Sequence, residues 1–63
     1  MCEANAYLVK NGNEDIILES VDLFEAQGHE IRLVSLFGEE KRIQARVKYI
    51  SLVDHKIVLE PVS

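Results

Sequence analysis

Lys41-Arg42-Ile43-Gln44-Ala45-Arg46-Val47-Lys48-Tyr49-Ile50 alternates residue by residue. Ile43, Ala45, Val47 and Tyr49 share one face and Arg42, Gln44, Arg46 and Lys48 the other, the period-two signature of a half-buried β-strand. It is the longest such run in the chain, and the segments on either side read the same way. Upstream, Glu30 to Leu36 sets Ile31 and Leu33 against Arg32 and Val34, bounded by Gln27-Gly28-His29 and by Phe37-Gly38-Glu39-Glu40, each with a glycine at its turn. Downstream, Ser51 to Val53 leads into Asp54-His55, read as a two-residue turn. Ile57-Val58-Leu59 then closes the sheet, and Pro61, which has no N–H for a ladder, ends it.

The first half extends the pattern. Ala4, Ala6 and Leu8 alternate with Asn5, Tyr7 and Val9. Asn11-Gly12-Asn13 follows, and Asn-Gly is the strongest short hairpin signal because both residues tolerate positive φ. Glu14 to Ser20 is the next run, centred on Ile16-Ile17-Leu18. Three adjacent apolar residues imply burial on both faces, or on one face with a partner chain on the other. Val21 to Ala26 fits a helix or a strand. The nearby Gln27-Gly28-His29 turn leaves little room for a stable helix, so a separate strand is expected there.

Short strands separated by regular turn signals define an all-β chain. With 63 residues it forms one domain, spanning residues 1–63. A chain this short buries only about 60% of its unfolded surface, so assembly or a metal is the expected reinforcement. A single open sheet would leave exposed edges, and curling into a small antiparallel barrel of SH3-like or Sm-like kind removes most of them. The terminal strands Ala4–Lys10 and Lys56–Glu60 are expected to be neighbours, and also to supply the edge for a dimer.

One cysteine rules out an internal disulfide. No apolar run has the form of a signal peptide or a membrane span, so a cytoplasmic location without membrane association is expected. The formal charge of −4 argues against nucleic acid, whose affinity comes from cations on phosphates. The basic strand face of Arg42, Arg46 and Lys48, with Lys41 beside it, has no interleaved aromatic and adjoins Glu39-Glu40. It therefore reads more readily as a solvated face than as an RNA groove. Neither a nucleophile triad nor a glycine-rich phosphate loop is present, so no enzyme and no catalytic residue is expected.

The residue with most chemistry is Cys2. With Met1 removed, its amine and thiolate would chelate one ion. With Met1 retained, the Met1 amine, the Cys2 amide nitrogen and the Cys2 sulfur would do so. Mixed nitrogen and sulfur donors suit nickel(II) or copper(II) in planar four-coordination, and the thiolate is the binding form. The competing reading is a small buried hydrophobe. His29 and His55 fall in turns without zinc-site spacing. Glu3 and Glu14-Asp15 are further oxygen donors, more simply an acidic surface.

Met1-Cys2, Tyr7-Leu8-Val9-Lys10-Asn11-Gly12, Gly28-His29-Glu30-Ile31-Arg32-Leu33, Leu36-Phe37-Gly38-Glu39-Glu40 and Asp54-His55-Lys56-Ile57-Val58-Leu59, in that order, resemble the CooT family of small nickel-binding proteins. The resemblance covers nearly the whole chain. It implies a homodimeric SH3-like barrel that binds Ni(II) through Cys2, with backbone nitrogens of Met1 and Cys2 beside it, where two chains meet. It also implies a metallochaperone or carrier role toward a nickel enzyme such as carbon monoxide dehydrogenase, or toward its maturation factors. The family has also been labelled RNA-binding, so a small RNA-binding or protein-scaffolding module is the alternative.

Overall fold

The computed structural model describes residues 4–62. Asn11 and Gly12 adopt φ of 51° and 82°, the mirror-image turn whose twist matches its flanking strands. They join β1 (Ala4–Lys10) to β2 (Asn13–Gln27), with Lys10 opposite Asn13. Next come β3 (Glu30–Ser35), β4 (Glu40–Ser51) and β5 (Lys56–Pro61). Each strand pairs antiparallel with the next. β5 then returns parallel to β1, from Asn5↔Lys56 to Leu8↔Leu59, and closes the ring. The small all-β barrel expected from the turn spacing is therefore the fold. The terminal strands are neighbours as expected, but they pair with each other. Over those residues neither offers the free edge assigned above to a dimer.

Two runs read as separate strands are one. β2 is 15 residues long and bends at Ser20, which takes φ of 55° without being glycine. The Ser20 N–H donates to Oδ1 of Asn5 (3.1 Å), and its carbonyl accepts from the Leu36 N–H (2.9 Å). Register slips flank the bend, two against β1 and one between Val21 and Leu23 against β3. Such bulges turn a strand sharply. The first half of β2 can thus pair with β1 and the second half with β3.

A further slip lies between Val47 and Tyr49, against β5. It breaks the single apolar face expected on β4. Ala45 is buried, whereas Val47 and Tyr49 are 38% and 40% exposed. The core is centred on Ile31, Leu33 and Leu59, all fully enclosed, with Ala6 and Ala45 where less space is available. Each large aliphatic side chain so enclosed contributes about 1.5–3 kcal/mol. The β3–β4 turn is held by buried Ser35, whose Oγ accepts the N–H groups of Phe37 and Glu39, both at 3.1 Å. The β4–β5 connection spans Leu52 to His55 and is wider than the expected two-residue turn; His55 has φ of 55°.

Candidate metal centre

Cys2, Met1 and Glu3 lie outside the described residues. The structure does fix where β1 begins. Ala4 packs against the core and pairs with Val21. The next residue, Asn5, donates its N–H to the carbonyl of His55 (2.9 Å). Barrel closure thus sets His55 beside the start of β1, although 50 positions separate them in sequence. Ala4, Phe24, Ile50, Leu52, His55 and Ile57 border a cleft of 460 Å³ there, walled mainly by apolar side chains. Of these, Ile50 and Leu52 are exposed, Leu52 almost fully.

The second histidine is elsewhere. The His29 carbonyl accepts from the Ala45 N–H (2.9 Å), and Ala45 is opposite Pro61 at the far end of β5. The length of β5, about 16 Å from the rise of an extended strand, therefore separates the surroundings of the two histidines. Glu14 and Asp15 are also remote from the chain start. They pair with Val9 and Leu8, toward the other end of β1. No group of three or more His, Cys, Asp or Glu side chains able to hold an ion occurs among the described residues.

Glu14 already has partners. Its carboxylate accepts from the Tyr49 hydroxyl and from Lys56 Nζ, each at 2.7 Å. The Lys56 ammonium also stands 4.9 Å from the Tyr7 ring centroid, a cation–π distance. The bond from Lys56, then that from Tyr49, holds the Glu14 carboxyl below the usual carboxylate range. The bond to Glu14 raises both Tyr49 and Lys56 above their ordinary values. Tyr7 and Tyr49 are the register partners of Val58 on either side. Val58 points out of the barrel, between the inward Ile57 and Leu59, and yet has no exposed surface. This clasp ties β2, β4 and β5 together across β1. Sequence reading missed it because its partners are 35 and 42 residues apart.

The two arginines on the basic face of β4 are paired with carboxylates. Arg42 Nε lies 3.0 Å from Glu40, and Arg46 Nε 2.8 Å from Glu60. Arg32 bridges Glu25 (2.8 Å) and Glu40 (2.7 Å). The bond from Arg32, with a second from Arg42, keeps the Glu40 carboxyl below its ordinary range. Guanidiniums so engaged are poorly disposed to hold RNA phosphates.

A closed five-stranded barrel, with the start of β1 beside an apolar cleft, defines the chain as a small β-barrel module. Comparison with known proteins makes the assignment specific. Residues 1–60 match the family described as CO dehydrogenase accessory protein CooT, and the chain belongs to that family. A crystal structure from Carboxydothermus hydrogenoformans assigned to CooT superimposes with a TM-score of 0.89 at 39% identity, covering 98% of this chain and 100% of that one. An uncharacterised protein of Methanocaldococcus jannaschii is 32% identical over 60 residues, 95% of this chain and 98% of its own length. The role is accordingly that of an accessory protein in the maturation of CO dehydrogenase.

Proposed function

We propose that this accessory protein is a nickel(II) carrier or metallochaperone. Its cargo is held by the Cys2 thiolate with backbone nitrogen of Met1 and Cys2, at the meeting of two copies, for delivery to carbon monoxide dehydrogenase or its maturation factors. The observation that supports this reading is the match of residues 1–60 to the family described as CO dehydrogenase accessory protein CooT. Cys2 carries the chain's one thiol, and the thiolate is the metal-binding form. Nitrogen and sulfur donors together favour nickel(II) over magnesium or calcium. One copy supplies only part of a coordination shell, and a second copy related by a two-fold axis would complete it with like donors. The exposed apolar residues Ile50 and Leu52 beside the start of β1 suit such a contact. Metal binding and dimerisation would then be linked, each strengthening the other.

Addition of nickel to the purified protein should produce thiolate-to-nickel charge-transfer absorption in the near ultraviolet. Cys2→Ser should abolish that band while leaving the β-sheet circular dichroism unchanged. Equal nickel affinity in both proteins would refute the assignment of Cys2.

A further inference from the structure

The long strand β2 has an edge that nothing in the barrel uses. Its ladder with β3 runs from Gln27↔Glu30 only as far as Val21↔Ser35, with the Leu36 N–H to Ser20 carbonyl bond as the last link. Beyond that point β3 turns away through Leu36–Gly38, while β2 continues back to Asn13 with β1 on its other side. Residues Glu14 to Glu19 are therefore paired along one edge only. The two-residue turn makes Lys10 and Asn13 a hydrogen-bonded pair. Alternation then puts Val9↔Glu14 and Tyr7↔Ile16 in non-bonded positions. The N–H and carbonyl groups of Glu14 and Ile16 thus point away from β1, to the open side.

That side is shaped as well as open. A groove of 250 Å³ runs beside the edge, lined by Ile16, Ile17, Leu18 and Glu19 on the strand and by Phe37 and Glu39 on the β3–β4 turn. Phe37 is 83% exposed and Ile16 46% exposed. The turn that presents Phe37 is fixed by the two bonds to Ser35 Oγ. Natural barrels usually protect such edges with lysine, proline or a covering loop. This one instead has apolar side chains and no cation between Glu14 and Glu19.

We propose that the unpaired edge of β2 at Glu14–Glu19 is a strand-acceptor site, which takes an extended basic segment of a partner protein as a sixth strand. Backbone bonds to Glu14 and Ile16 would supply the ladder, and Phe37 and Ile16 would seat an aliphatic side chain. Charge selects the occupant. Glu19 and Glu39 line the groove and Asp15 precedes it on the strand, and none of the three is in an ion pair among the described residues. A segment alternating Lys or Arg with Val, Ile or Leu complements that border. A second copy of β2 does not, because antiparallel self-pairing sets Glu14 and Asp15 near Glu19 of its mate. The proposal is independent of the metal reading, since it uses none of the groups proposed to hold the ion.

The test uses the whole protein, isotopically labelled, and the blocked peptide acetyl-Lys-Val-Lys-Val-Lys-Val-amide followed by amide NMR. Saturable shifts should centre on Glu14, Ile16 and Phe37, with slowed solvent exchange of the Glu14 and Ile16 amides. The same peptide with Glu in place of Lys should bind at least tenfold more weakly, on the order of one to two lost charge contacts. Phe37→Ala, at a position outside the core, should weaken binding about fivefold or more, as truncation of an aromatic anchor does. Absence of saturable shifts, shifts centred elsewhere, or equal binding of the Lys and Glu peptides would overturn the proposal. So would amides of Glu14 and Ile16 that are already protected in the protein alone at raised concentration, which would mean that a second copy fills the edge.

Discussion

Val58→Ala is the substitution that most sharply separates a barrel with a packed outer clasp from one with only an interior core. Val58 faces outward on β5, where a side chain is ordinarily solvated and truncation changes stability by within about 0.5 kcal/mol. Here it has no exposed surface, because Tyr7 and Tyr49 flank it in the register. Removing two buried carbons forfeits about 1.6 kcal/mol at roughly 0.8 kcal/mol per methylene. Incomplete collapse around the space left adds to this, giving about 2 kcal/mol in all. For a domain of this size that corresponds to a fall in Tm of about 8–16 °C. Thermal and urea denaturation followed by far-ultraviolet circular dichroism measure it, with Tyr49→Phe as the companion variant. That variant keeps the ring over Val58 and loses only the exposed bond to Glu14, so its Tm should fall much less. A Val58→Ala protein within 0.5 kcal/mol of the parent would show that the tyrosines do not cover β5, and the clasp would lose its structural role.

Other consequences follow from the same geometry. Ser35→Ala leaves the Phe37 and Glu39 amides without their shared acceptor and should cost about 1–3 kcal/mol, measured by urea unfolding. Gly38→Ala meets no atom within 4 Å but must hold φ of 88°, so it should destabilise by about 1–2 kcal/mol through backbone strain alone. Glu14 and Glu40 have carboxyls held below their ordinary values. Their contribution is present above the unfolded carboxylate pKa and is lost as pH falls through the lowered folded values. Stability should therefore begin to fall as pH enters the ordinary carboxylate range and keep falling below it, and Glu14→Gln should flatten that acid limb. Lys56 and Tyr49, raised in the folded protein, act in the opposite sense: their contribution is complete below their unfolded values and is lost as pH rises through the folded ones.

Much of the barrel was legible in local patterns. Asn11-Gly12 announced its hairpin, and the alternation of Ile31 and Leu33 matched the buried face of β3. The unity of β2 was not legible, because its bend rests on a serine at positive φ stabilised by Asn5, 15 residues away. Nor was the face reversal on β4, since a bulge leaves the run of residue types unchanged while altering which of them point inward. The parallel closure of β1 on β5 pairs residues about 50 positions apart, and it put the expected dimer edge inside the ring. Closure also distinguished two histidines that look alike in sequence, placing His55 beside the start of β1 and His29 at the far end of β5. Cys2 stood out by residue type and position, and it lies outside the described residues.

X-ray absorption at the nickel edge of the loaded protein tests the central claim most directly, because it counts sulfur neighbours of the metal. If two chain starts share the ion, the spectrum will fit two sulfur ligands per nickel with nitrogen completing a planar set. A shell of nitrogen and oxygen alone, unchanged by Cys2→Ser, would contradict the account.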